Sequence, residues 1–287
     1  MTVCVKANAK INLWLDVVGK RENGYHDIVS VMREVSLFDT VTATRIAGGE
    51  IVLNTACGLP TDERNLAVRA AKAYFEKTGE PFGVLLTLEK SIPMEAGLGG
   101  GSADAAATLK ALNRLDGDRF STSELAAIGA KVGADVPFCV VGGTALCEGI
   151  GERITPLFST TGLPLVVAIA GEGVSTPRAF SALDERYGSF ESYISDQNPK
   201  FMMESLENGD ASSIVSALFN RFEEVVAPER PAVSALKSAL VEHGAIGAQM
   251  SGSGPAVFGI FPDKQAAERA AAALTALGAR AFACEAL

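Results

Sequence analysis

The chain has 287 residues, of which 48% are hydrophobic and 21% charged, with a net charge of −9. That is the balance of a soluble globular protein near the length at which one core gives way to two domains. The negative charge argues against a nucleic-acid surface but leaves room for a small anion held by local amides and lysines.

No apolar run reaches the roughly 18–20 residues a membrane helix needs. Lys6 and Lys10 interrupt the apolar pattern of the first residues, so no signal peptide is read there. Cys4, Cys57, Cys139, Cys147 and Cys284 are odd in number and form no CxxC pair, and His26 and His243 are the only histidines. Reduced thiols of a cytoplasmic protein are therefore expected, rather than a zinc cluster or a disulfide framework.

Ile11, Leu13, Leu15 and Val17 alternate with Lys10 and Asn12. The alternation predicts a strand that sets the lysine and asparagine side by side on one face. Asn23-Gly24 is a turn signal, and SVMREVSLFDTVTATRI reads as further strand. A helix is predicted from Asn65 to a stop at Gly79, with Leu66, Ala70, Ala73 and Phe75 near one face. FGVLLTLEKSI is then a strand whose Phe82, Val84, Leu86 and Leu88 share a side. Next comes PMEAGLGGGSADAAATL, residues 93–109, with a helix expected after Ser102 and a stop at Asp116-Gly117-Asp118. Ser121 and Glu124 have the spacing of a capping box, and their helix is expected to run to about Gly133 before Ala134-Asp135-Val136-Pro137.

The texture changes after PLFSTTGLP, which places a domain boundary near residue 158. PLVVAIA (164–170) is a strand, AVSALKSALVEHG a helix, and AIGAQM and AVFGIF are strands joined through SGSGP. DKQAAERAAAALTAL is a helix and RAFACEA a last strand. Setting aside the middle helices, strand, helix, strand, strand, helix, strand is the order of a split βαβ, ferredoxin-like domain.

Four glycines in five residues, Gly97 and Gly99 to Gly101, fit none of three familiar templates. A dinucleotide fingerprint would need glycine at Ser102; a Walker A loop would need Ser or Thr after Gly19-Lys20, where Arg21 stands; HRD and DFG are absent. What remains is strand, glycine loop and helix. Glycines let backbone amides converge on an anion, and the helix start adds about half a positive charge. That context alone supports a phosphate cradle and a ligand-free tight connection about equally, and disfavours a linker between two buried elements. Ser102 can cap the helix or turn its hydroxyl to a phosphate or a metal. SGSGP, residues 251–255, is by itself more often a hairpin than a site.

PMEAGLGGGSADAA resembles the phosphate-binding motif of the GHMP kinase superfamily, SGSGP its C-terminal glycine motif, and AKINLWLDVVG its N-terminal motif. KRENGYHDIVSVMREVSLFDTV and GADVPFCVVGGTALCEGIGERITPL resemble the branch that acts on a cytidine-diphosphate-linked methylerythritol. The resemblance implies an α+β, two-domain fold, with an N-terminal nucleotide-binding α/β domain over 1–158 and a C-terminal ferredoxin-like, substrate-binding domain over 159–287. It implies ATP-dependent phosphorylation of the 2-hydroxyl of 4-diphosphocytidyl-2-C-methyl-D-erythritol on the non-mevalonate route to isoprenoids, with ATP and Mg²⁺. The partners implied are these small molecules, without nucleic acid or membrane, for a cytoplasmic monomer or homodimer.

Residue by residue, the resemblance makes Asp135 the base and Lys10 the catalytic cation beside it. Pro137 is expected to hold Val136 extended, so that Asp135 is aimed from a loop past a helix end. Asn65, Pro93, Met94, Glu95, Ala96, Gly97, Leu98, Gly99, Gly100, Gly101, Ser102 and Ala103 fall on the ATP, with Mg²⁺ between ATP and Ser102. Tyr25 and His26 would recognise cytosine by stacking and hydrogen bonding, and Phe180 would stack from the other domain with Thr176 near it. Asn12 would orient the hydroxyl or the diphosphate. Two places depart from the family pattern. Glu95 replaces a small residue and is expected to face solvent, and Phe219-Asn220-Arg221-Phe222-Glu223 replaces a stretch closer to Asn-Asp-Leu-Glu. A GHMP kinase for mevalonate, homoserine or a sugar would lack Tyr25-His26 in this context. A regulator that does no chemistry would be expected to have lost Asp135 or Lys10.

Overall fold

The computed structural model describes the chain except residues 56–57, 160–161, 170, 172, 174, 189–194 and 196. Cys57 and the last residue of the predicted strand 164–170 thus lie outside the described residues. In chain order the first elements are β1 (Thr2–Lys20), β2 (His26–Ile46), β3 (Ile51–Thr55), α1 (Leu66–Thr78), β4 (Gly83–Glu89), α2 (Gly100–Leu115), α3 (Thr122–Gly129) and α4 (Val136–Val141). Next come β5 (Thr144–Gly149), β6 (Arg153–Pro156), β7 (Pro164–Ile169), α5 (Thr176–Tyr187), α6 (Lys200–Asn208) and α7 (Ala211–Ser216). The chain closes with β8 (Phe219–Asn220), α8 (Glu223–Glu229), α9 (Pro231–Glu242), β9 (Gly247–Met250), β10 (Val257–Ile260), α10 (Lys264–Ala276) and β11 (Arg280–Glu285). Among the described residues no helix is long and apolar enough to cross a membrane.

The fold is α+β and divides into two compact units that interleave along the chain. The first holds Met1–Ala9, Leu37–Pro93 and Gly99–Gly142; the second holds Lys10–Ser36, Met94–Leu98 and Gly143–Leu287.

In the first unit β4 runs antiparallel to the second half of β2, from Thr40 opposite Glu89 to Ile46 opposite Gly83. It is also parallel to β3, and the parallel pair is joined by a crossover that contains α1. Phe82, Val84, Leu86 and Leu88 are all buried, as the alternation predicts. Asn65 caps α1 and Gly79 ends it in the left-handed conformation. The buried face of α1 is centred on Ala67, Ala70, Ala71 and Tyr74 rather than on Leu66 and Ala73, because the Tyr74 ring is buried while its hydroxyl reaches Asp116 at 3.1 Å.

Two expectations here are corrected. Helix α2 starts at Gly100, not after Ser102, so Gly99 is its N-cap at φ 68° and Ser102 lies in its first turn. Val136 is not extended: Pro137 stands in the first turn of α4, where its missing N–H costs no hydrogen bond, and Asp135 becomes the N-cap at φ −83°, ψ −10°. The capping box at Ser121 and Glu124 is formed, but α3 ends at Gly129, where a Cβ would fall 2.7 Å from Val136 Cγ1.

In the second unit the first half of β2 pairs with β5 and β5 with β6, while β8 pairs parallel with β1 at Trp14 and Leu15. The Asn23-Gly24 turn closes through Arg21 N–H to the Tyr25 carbonyl at 2.7 Å. A four-stranded antiparallel sheet has the order β11-β7-β10-β9. Numbered along the chain, that is 4-1-3-2, the ferredoxin-like arrangement. Helix α10 packs on β7 and β11, and α9 on β9 and β10. Strand β1 is buried on both faces from Ala9 to Asp16, each large apolar side chain there contributing about 2 kcal/mol. Three polar groups, Lys10, Asn12 and Asp16, are buried along with them.

Candidate active site

In the second unit Lys10 and Asn12 stand side by side as the alternation predicts. Both are buried, and Lys10 Nζ donates to Asn12 Oδ1 at 2.8 Å. The Lys10 amide donates to the Leu98 carbonyl at 3.0 Å, which ties the strand to the start of the glycine loop. Its ammonium lies 3.4 Å from the point where a Cβ on Gly252 would stand. The lysine therefore points at the SGSGP loop, and a side chain at position 252 would crowd it.

The two glycine-bearing segments of this unit touch through backbone. A Cβ on Gly97, which has φ +82°, would fall 2.2 Å from the Ser251 carbonyl oxygen. Ser251 Oγ donates to the Gly97 carbonyl at 3.0 Å, and the Ala256 amide donates to the Ala96 carbonyl at 3.0 Å. Glu95 is exposed, as expected. The SGSGP loop is itself held by Asn220, whose Nδ2 donates to the Met250 and Gly252 carbonyls at 2.8 and 2.9 Å. Glu223 accepts from the Met250 amide at 2.8 Å. In the departure from the family pattern, Arg221 forms a buried pair with Asp16 at 2.8 Å and reaches Glu224 at 2.7 Å.

The residues expected at the cytosine are gathered in the same unit. His26 is buried, and Phe180 on α5 stacks on its ring at 4.6 Å and 15°. Phe222 meets Phe180 edge-on at 4.9 Å. His26 Nε2 pairs with Asp184 Oδ1 at 2.8 Å, and Lys20 takes the other carboxylate oxygen. Burial opposes ionisation of Asp184, but its bonds to Lys20 and His26 outweigh it and hold the carboxyl below its ordinary range. Tyr25 beside them is 60% exposed, a ring open to stacking. Thr176 begins α5, and its hydroxyl lies 2.9 Å from Ser253 Oγ of the SGSGP loop.

In the first unit, the amides of Gly100, Gly101 and Ser102 open α2 without an intrahelical acceptor, and Gly99 has no side chain to cap them. Ser102 Oγ lies 3.9 Å from where a Gly133 Cβ would stand, so its hydroxyl neighbours the loop that carries Asp135. Asp135 is half-buried at the start of α4. Asn65 accepts from the Ala67 amide and donates to the Pro60 carbonyl, both at 3.0 Å. Among the described residues no group of three or more His, Cys, Asp or Glu could hold a metal ion.

Beneath the first turn of α2, Lys90 pairs with Asp104 at 2.7 Å and with Asp39, and its ammonium lies 3.4 Å from a Cβ built on Gly100. Asp39 also accepts the Ile92 amide at 2.7 Å. Burial above all, with the charge of Asp39 adding to it, pushes the Asp104 carboxyl up to about 7 against the pull of Lys90. Its Oδ1 is buried without a hydrogen-bond partner. Sequence reasoning missed Lys90, Asn220 and Asp184; of these only Asp184, one helical turn beyond Phe180, carried a usable spacing signal.

Phosphoryl transfer to a small molecule is the chemistry these parts serve, and the class they define is that of the GHMP kinases. The family model for the GHMP kinases N terminal domain matches residues 65–143, and that for the GHMP kinases C terminal matches residues 202–280. The chain is 42% identical to 4-diphosphocytidyl-2-C-methyl-D-erythritol kinase of Caldicellulosiruptor saccharolyticus, covering 93% of this chain and 91% of that one. Its fold matches a crystal structure of 4-(cytidine 5'-diphospho)-2C-methyl-D-erythritol kinase with a TM-score of 0.82 at 35% identity, over 99% of both chains. A homoserine kinase from Cytophaga hutchinsonii shares the fold, with a TM-score of 0.79 at 21% identity over 100% of this chain and 94% of that one. The chain belongs to the GHMP kinases and, within them, to the 4-diphosphocytidyl-2-C-methyl-D-erythritol kinase family.

Proposed function

We propose that this chain transfers the γ-phosphoryl group of ATP to the 2-hydroxyl of 4-diphosphocytidyl-2-C-methyl-D-erythritol, a step of the non-mevalonate route to isoprenoid precursors. The observation that carries the acceptor assignment is the group Tyr25, His26, Phe180 and Asp184. It offers an exposed ring, stacked aromatics and a hydrogen-bonding imidazole, which is what a cytosine needs. An acceptor such as mevalonate or homoserine has no base to use them.

Asp135 takes the proton of the 2-hydroxyl. The oxygen then bonds to the γ-phosphorus as the bond to the β–γ bridging oxygen breaks, and ADP leaves. Lys10 stabilises the negative charge on the attacking oxygen and the transferring group, the main task in a reaction dominated by positioning and electrostatics. Asn12, bonded to Lys10, orients the acceptor's hydroxyl or diphosphate. Segment 93–103, with its amides at the start of α2, holds the ATP phosphates, and Asn65 lies on the nucleotide side. The Ser102 hydroxyl would be the protein's ligand for the Mg²⁺ that accompanies ATP, and the metal would supply neutralisation of phosphate charge. Residues 1–158 are assigned to ATP binding and 159–287 to substrate binding, with Tyr25 and His26 the N-terminal contribution to the acceptor. The protein is taken to act in the cytoplasm, as a monomer or homodimer and without nucleic acid.

The test is ADP release with 4-diphosphocytidyl-2-C-methyl-D-erythritol, mevalonate, homoserine and galactose offered separately. Turnover with the cytidyl compound alone is expected. Preference for another acceptor would overturn the assignment, and activity with none would favour a regulator.

A further inference from the structure

Lys10 and Asn12 do not end their hydrogen-bond chain with each other. Asn12 Nδ2 donates to Ser30 Oγ at 2.9 Å, and Ser30 Oγ donates to the Trp14 carbonyl at 2.7 Å. Ser30 is fully buried on β2, and Asn12 is buried on β1. A serine hydroxyl has one proton. With that proton on the Trp14 carbonyl, Ser30 can only accept from the asparagine. The amide is therefore oriented with its N–H₂ toward Ser30 and its carbonyl toward Lys10. Lys10, which can only donate, demands the same orientation from the other side. A flipped amide would set N–H₂ against ammonium at one end and take the Ser30 proton from a buried backbone carbonyl at the other.

We propose that Ser30 is a positioning residue for phosphoryl transfer, acting through Asn12 to fix the ammonium of Lys10. The inference rests on the assignment of Lys10 and Asn12 to the reaction and extends it to a residue that touches no substrate. Without the hydroxyl, the Asn12 amide loses its buried acceptor and turns, and the Lys10 ammonium loses the carbonyl that holds it beside Gly252. Displacing a catalytic group by a fraction of an ångström lowers the rate of the chemical step while leaving nucleotide binding in place.

The test is steady-state kinetics of Ser30→Ala, together with Ser30→Thr and Ser30→Val, which share one shape and differ only in the hydroxyl. Ser30→Ala and Ser30→Val are expected to lower kcat about tenfold or more while the KM for ATP stays within about twofold. Ser30→Thr is expected to retain several times the kcat of Ser30→Val. In an Asn12→Ala background, Ser30→Ala should cost nothing further, because the link it supports is already gone. Wild-type kcat in Ser30→Ala, equal losses in the Thr and Val variants, or losses that multiply in the double variant would each overturn the proposal. Lys10→Ala separates the two levels of inference. If it keeps wild-type kcat, the assignment of Lys10 fails; if it is inactive while Ser30→Ala is active, only the role of Ser30 fails.

Discussion

The two glycine-rich loops look alike in sequence and do opposite things with their backbone. In residues 97–102 the glycines free amides: Gly97 and Gly99 take positive φ, and Gly100, Gly101 and Ser102 open a helix with their N–H groups unclaimed by the cap. In residues 251–255 every residue is buried, and backbone groups of Met250 and Gly252 are claimed by Asn220 and Glu223. One loop leaves the amides of a helix start uncapped, and the other is locked as a wall, with Lys10 against it. Close approach requires glycine at Gly97 as well as in the second loop, while Gly99 leaves the start of α2 without a side-chain cap. Composition cannot tell these uses apart, because both read as Gly and Ser between regular elements.

The sharpest way to break this contrast is Gly97→Ala, the position where the loops meet. The new Cβ would fall 2.2 Å from the Ser251 carbonyl oxygen, at a φ of +82° that disfavours any side chain. A loss of about 3 kcal/mol or more in urea denaturation is expected, with activity lost alongside. Asn220→Ala comes next, since it strips the donor from two buried carbonyls; a loss of about 2 kcal/mol is expected by the same measurement, with a lowered kcat because the wall beside Lys10 loosens.

Asp104→Asn probes what lies beneath the first of these loops. The folded-state carboxyl is raised, so its stabilising contribution is present below the unfolded pKa and is lost as pH rises toward and through about 7. The asparagine variant lacks that loss. Its stability relative to wild type should therefore grow from pH 5 to pH 8, by at most about 1.4 kcal/mol per pH unit, in denaturation run across that range. A flat difference would show that Asp104 does not titrate there. Gly101→Ala is the mildest change, since its Cβ meets only the Leu66 side chain, Cδ1 at 3.3 Å and Cγ at 4.0 Å. Stability within about 1 kcal/mol of wild type is expected, because alanine favours the helix interior and offsets a small crowding cost.

Much of this was legible where the signal is local. The alternation of Ile11, Leu13 and Leu15 placed Lys10 and Asn12 side by side, and the order of the last strands and helices gave the ferredoxin-like sheet. Local rules failed where two of them competed. Pro137 restrains the residue before it, yet it also suits the first turn of a helix, and burial of Val136 against Gly129 favours the helix. Gly100 and Gly101 are poor helix formers, so propensity delayed the start of α2, while burial of its alanines carried the helix through them. Ser30, Asn220 and Lys90 were invisible for a different reason. Their partners are 14 to 51 residues away along the chain, and no periodicity encodes such contacts. Arg221 departs from the family motif, and its partner Asp16 stands 205 residues earlier.

The most direct test of the account is phosphorus-31 NMR of a mixture of ATP, Mg²⁺ and 4-diphosphocytidyl-2-C-methyl-D-erythritol, followed with wild type and with Asp135→Asn. The account predicts a new phosphomonoester resonance growing in step with ADP for wild type, and growth slowed about a hundredfold or more, roughly 2.7 kcal/mol of barrier, for the variant. ADP without the phosphomonoester, or equal rates for the two proteins, would contradict it.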